Sequence, residues 1–166
     1  MNAPTIPIAC HAIPATRVVS AILAGGLIAG AIDICAAALI NHINLSVICR
    51  AVASGLLGKA AFHGGMGVSA LGMLLQWGMS IIIAAIFVIA ALRMRWLTAR
   101  SILPGLAYGV IVFFVMNYIV MPLSAVGHAP HFTPASFVEN LAAMLLFGLI
   151  VAFVAKRWLR CVTDDT

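Results

Sequence analysis

Four long apolar runs constrain this chain more than any motif in it. Val18 to about Asn41, Gly65 to Leu92, Ile102 to Met121 and Pro134 to Ala155 contain no lysine or arginine and only two carboxylates, Asp33 and Glu139. In lipid every backbone N–H and C=O must be satisfied within the protein, so such runs are expected to be helices. At 1.5 Å per residue each is long enough to cross a ~30 Å hydrocarbon core. With 64% hydrophobic and 8% charged residues, the chain departs far from the roughly 45–50% apolar and 25% charged of a soluble domain. The expected fold is therefore all-α: one membrane domain over residues 1–166, a four-helix bundle with helices at about 18–41, 65–92, 102–121 and 134–155. No polar linker long enough to separate two domains interrupts it.

The stretch between the first two runs needs its own reading. Val47 to Phe62 is apolar, but the glycines at 55 and 58 interrupt it and it is shorter than the other runs, so a re-entrant or interfacial segment over about 45–62 is expected. The first run is too long for the apolar region of a signal peptide and carries an Asp, so it reads as a mature helix. Pro4, Pro7 and Pro14 keep the preceding residues extended.

Lysine and arginine placement sets an expected orientation. Arg17, Arg93, Arg95, Arg100, Lys156, Arg157 and Arg160 fall on one side and only Arg50 and Lys59 on the other. Both termini are then expected in the cytoplasm of a bacterial cell, with the protein in the inner membrane and the 45–62 segment facing the periplasm. The net charge of +5 is spread over segment ends in ones, twos and threes, which is topology information and not a nucleic-acid footprint. Cys10, Cys35, Cys49 and Cys161 form no C-x-x-C pair, so neither a disulfide framework nor a zinc ribbon is expected.

The polar residues inside the runs are the candidate site. A carboxylate at bilayer depth costs ~2.5–3.5 kcal/mol on insertion scales, so it must be paired, protonated, hydrated or used. Asp33 shares a helical stripe with Gly26, Gly30 and Ala37, whose small side chains let another helix approach. In the second run Ser69, Gly72, Gln76 and Ser80 share a stripe, and Gly105, Gly109, Phe113 and Asn117 share one in the third. A polar pocket of Asp33, Gln76, Asn117, Glu139 and Asn140, open to the outer side, is the expected packing.

Two chemistries compete for those carboxylates. One is a structural ion pair in which Arg50 or Lys59 folds in from the 45–62 segment. The other is a titrating or cation-binding pair, since a desolvated acid is where protons and ions are exchanged. A divalent metal is a candidate cofactor if His63, His128 and His131 join Glu139 in a nitrogen and oxygen shell; His42 lies at the same level. No histidine lies near the middle of a run, which argues against a haem bundle. The methionines at 66, 73, 79, 116, 121 and 144 read as core filler, and the glycine pairs 26/30 and 105/109 as packing within the chain. No phosphate-binding loop, nucleophile elbow, zincin or dinucleotide fingerprint is present in a usable context, so enzymatic activity is not expected. The expected partners are the lipid bilayer and either a second copy or a larger membrane complex, with an accessory, non-catalytic subunit as the alternative to ion handling.

The stretches Gly25 to Asp33, Ala53 to Gly58 leading to Ala61-Phe62-His63-Gly64-Gly65, and Asn117-Tyr118 followed by Met121-Pro122-Leu123-Ser124 resemble the YagU-like group of small bacterial inner-membrane proteins. The similarity spans most of the chain. It implies four membrane helices and a loose link to acid tolerance, and it names no chemistry. One departure is Ala143 before Met144-Leu145, where the family pattern often has a histidine.

Overall fold

The computed structural model describes residues 13–94, 96–99, 102–127 and 133–159. Among these the chain is helical, without strands: α1 (Ala15–Asn41), α2 (Leu45–Leu57), a 3-10 segment (Gly58–His63), α3 (Met66–Arg93), α4 (Trp96–Ala99), α5 (Ile102–Val115), a π segment (Met116–Val120), α6 (Met121–Leu123) and α7 (Pro134–Leu159). Five stretches are long and apolar enough to cross a membrane, namely α1, α2 with its 3-10 extension, α3, α5 through α6, and α7. The expectation of four is one short of that number. The segment taken as too interrupted is continuous over Leu45–His63, 19 residues, because Gly58 adopts φ +61° and the chain continues in 3-10 turns instead of unwinding. A residue with a Cβ would be strained at that φ.

Small residues set how the helices meet. A Cβ on Gly26 would lie 2.7 Å from Ile81 Cα, and Gly30 abuts Trp77 and Ser80, so α1 and α3 run antiparallel in close contact. A Cβ on Gly105 would lie 2.9 Å from that of Ala152, and one on Gly109 would lie 2.8 Å from Leu145 Cα, which makes α5 and α7 antiparallel as well. Gly25 faces Val154, closing α1 on α7. Both glycine pairs thus pack within the chain, and backbone approach of this kind is how helices associate without a hydrophobic drive.

These pairings divide the bundle into two ends. The start of α1, the ends of α3 and α7 and the start of α5 form a basic end with Arg17, Arg93, Lys156 and Arg157. The end of α1, the start of α3, α6 and the start of α7 form the far end. The α2 segment begins and finishes at this far end, since α1 delivers the chain there and α3 leaves from it. Its middle lies over the first turns of α3, with the Cys49 carbonyl against Gly72, and Gly55 O accepts 2.8 Å from Ala125 N beyond α6.

The core is alanine-rich near the basic end, where Ala21, Ala29, Ala84, Ala152 and Ala155 surround Phe87 and Val151. Outside, large apolar side chains such as Leu23, Leu27, Ile82, Ile86, Ile111 and Phe153 are exposed. Soluble monomers rarely show contiguous apolar surface on this scale. Pro122 does not end the helix, which continues to Leu123, two residues beyond the apolar run Ile102 to Met121. The wider π turn just before it relaxes the backbone where the proline ring would otherwise press on the preceding turn. Helix α7 starts as expected at Thr133-Pro134: Ser136 N donates to Thr133 Oγ1 (3.2 Å) and Thr133 N donates to Ser136 Oγ (2.9 Å), a reciprocal cap.

Candidate functional site

Asp33 lies eight residues before the last residue of α1, ~12 Å from the far end at helical rise. The Gly26–Gly30 contact brings α3 close enough for Gln76 Nε2 to donate to Asp33 Oδ2 at 2.9 Å. A neutral amide, not a base, therefore holds the carboxyl. Arg50 Nε donates instead to Ser69 Oγ (3.3 Å), and Ser69 Oγ donates to Ser46 O (3.4 Å), which ties α2 to α3. Lys59 is exposed on the 3-10 segment. In place of one of the two readings, a pairing of Arg50 or Lys59 with a carboxylate, the structure has an amide bond to Asp33 and a separate Arg50–Ser69 link.

The Asp33–Gln76 pair opens on a cavity of about 30 Å³ lined also by Met79, Ser80, Ile83, Val112, Met116, Met144 and Phe147. Four elements enclose it: α1, α3, α5 with its π segment, and α7. On α3 the stripe 76, 79, 80, 83 follows helical spacing, so one face presents amide, thioether and hydroxyl together. Tyr108 braces this wall from α5 by donating its hydroxyl to Ile83 O at 2.7 Å and stacking obliquely on Phe87, 5.0 Å between centroids. Tyr108→Phe is expected to cost about 1 kcal/mol, the usual net worth of one hydrogen bond, read as a lower unfolding midpoint in detergent; an unchanged midpoint would show that the brace is idle.

The other expected pocket members do not converge here. Asn117 turns back to its own helix, Nδ2 donating to Phe113 O at 2.8 Å, and Asn140 does the same to Ser136 O at 2.7 Å. Such local bonds to a carbonyl one turn back are the default for a short amide on a helix. Glu139 is exposed on α7, and His42 and His63 are exposed at the far end. His128 and His131 lie outside the described residues. Among the described residues no three His, Cys, Asp or Glu gather as metal ligands.

The polar pocket expected from Asp33, Gln76, Asn117, Glu139 and Asn140 therefore reduces to Asp33 and Gln76, joined by Ser80 and three methionines that sequence reasoning treated as filler. Met79 was legible, because it falls three residues after Gln76 on the same face. Met116 and Met144 were not, since only the α5–α7 crossing and the π segment turn them toward the cavity. Comparison of the chain with known protein families, curated proteins and solved structures gives no match.

Proposed function

We propose that this is a multi-pass inner-membrane protein of the YagU-like kind, with cytoplasmic termini at its basic end, whose interior carboxyl Asp33 takes up and releases one positive charge in ion transport or stress response. Four of the five apolar stretches cross the bilayer and the α2 segment lies at the periplasmic face. In favour of this are the many exposed large apolar side chains, the concentration of basic residues at one end, and the return of the α2 segment to the end from which it starts.

One observation carries the ion-handling reading: Asp33 is held by a neutral donor beside a cavity that has room for a guest. An ionised acid kept only for structure would be matched by a base, because a buried charge left without a countercharge is costly. Among the described residues lining the cavity, no other is titratable. A single carboxylate balances a single positive charge, so a proton or monovalent cation fits better than the divalent metal considered from sequence.

Infrared difference spectra of the chain in lipid nanodiscs, taken on a jump between about pH 8 and 5, test this directly. A carboxylic-acid carbonyl band is expected to appear on acidification, to vanish in Asp33→Asn and to persist in Glu139→Gln. The same band in wild type and Asp33→Asn would remove Asp33 from the proposal.

The exposure of Glu139, five residues into α7 and so ~8 Å from its start, favours a second reading in which another chain covers that face. A homodimer or a larger complex would then be the working unit, and a stable monomer in mild detergent would argue against it.

A further inference from the structure

We infer that the cavity beside Asp33 is a binding site for a soft monovalent metal ion, Cu(I) or its mimic Ag(I), with Met79, Met116 and Met144 as thioether donors and Asp33 as the countercharge. This rests on the reading of Asp33 as the carrier of one positive charge and names the ion.

Three of the nine residues lining the cavity are methionines. Eight methionines in 166 residues would place fewer than one in any nine, so their gathering is not what filler alone produces. They also come from three different elements, α3, the π segment and α7, and line the same cavity as the carboxylate from α1. Convergence from several helices on one point is how ion sites in helix bundles are built. The π segment begins at Met116 itself, and single π turns inside helices recur at functional sites because they re-aim the side chains around them.

The chemistry of the donors selects the ion. Thioethers are soft and neutral, and they favour Cu(I) over hard cations that need a shell of oxygens. Because they bring no charge, the ion is neutralised by Asp33 alone, and a +1 ion with one carboxylate leaves the interior electrically balanced. A divalent ion would leave an excess charge in an apolar setting, and among the described residues the cavity offers no imidazole and no second carboxylate. The cavity volume, about 30 Å³, exceeds the roughly 10–15 Å³ that one water-sized guest needs, so the site has room for one ion. The carboxamide of Gln76 fixes Asp33 Oδ2 and so orients the carboxylate without adding a competing charge.

Silver titration of the purified chain in nanodiscs, followed by native mass spectrometry and calorimetry, is the test, with Cu(I) measured in competition with a chelator. Cysteine thiolates also bind these ions, so the titration is run on a variant with alanine at all four cysteines and, in parallel, on the unmutated chain. One Ag(I) per chain is expected in the cysteine-free variant. Each of Met79→Leu, Met116→Leu and Met144→Leu should weaken it at least 10-fold, and the triple variant at least 100-fold. Met66→Leu and Met94→Leu, at exposed positions, should leave it unchanged. In the unmutated chain the triple variant should bind one Ag(I) fewer, which keeps the test decisive if the cysteine-free chain does not fold. Equal binding by wild type and triple variant overturns the inference, as does a loss that follows Met66 or Met94. If the triple variant binds silver like wild type while the infrared band still depends on Asp33, the metal site falls and the proton reading stands; if neither depends on its residues, both fall.

Discussion

Gly148→Ala is expected to destabilise the bundle by about 2–3 kcal/mol, the upper range for overpacking a close contact, although it adds a single methyl group. A Cβ at 148 would meet the Gly105 carbonyl and lie 2.7 Å from Gly109 N and 2.9 Å from Gly109 Cα. All three neighbours are backbone, so no rotamer change relieves the contact and α5 must move off α7. That displacement also loosens the cavity wall, since Met116 follows α5 and Met144 belongs to α7. The matched controls are Gly67→Ala and Gly78→Ala in α3, where an added Cβ meets nothing within 4 Å. These should be neutral or gain up to ~1 kcal/mol from helix propensity. Reversible unfolding in mixed micelles separates the two sets. Equal stability of Gly148→Ala and wild type would mean that the α5–α7 contact is not as close as described.

The second large effect concerns the Asp33–Gln76 pair and distinguishes a structural lock from a working acid. Gln76→Leu is expected to destabilise by about 1–3 kcal/mol, because it leaves the half-buried Asp33 carboxyl without its donor. Asp33→Asn should cost less than that or raise stability, since it removes a group whose ionised form is itself ~2.5–3.5 kcal/mol unfavourable at bilayer depth. The double variant should deviate from additivity by about 0.6–1.7 kcal/mol, the range of interhelical hydrogen bonds in membranes. An acid retained at the expense of stability is the pattern of a functional site. Were Asp33→Asn to prove the more damaging of the two, the carboxyl would be a structural element and the ion-handling proposal would lose its main support.

How much of this could be read from the residues differs between elements. The apolar runs located α1, α3, α5 and α7 to within a few residues, because a long segment with no charge leaves the backbone no other way to satisfy itself than a helix. Gly26/Gly30 and Gly105/Gly109 correctly marked contacts within the chain. The α2 segment was misjudged in continuity and not in extent: glycine signals a break, but it cannot say whether the chain unwinds or, as at Gly58, turns and continues as 3-10 helix. For the site, Asp33, Gln76 and Ser80 could be proposed from helical stripes alone. Their connection could not, because stripe periodicity gives a face and not the neighbour that meets it. Asn117 and Asn140 show the converse error, since a polar residue on a suitable face can satisfy itself one turn back on its own helix.

Composition and spacing alone thus determined that the chain is helical, where its apolar segments run and that Asp33 needs a reason to be where it is. These follow from local physics, the cost of unsatisfied backbone and of charge in an apolar medium. Only the tertiary structure decided that the partner of Asp33 is Gln76 and not Arg50, that Glu139 stands apart on the surface, and that three methionines share a cavity with the carboxyl. Those outcomes depend on helix crossings set by backbone contacts at glycines and on one π turn, and a shift of one residue in either would turn the same side chains elsewhere.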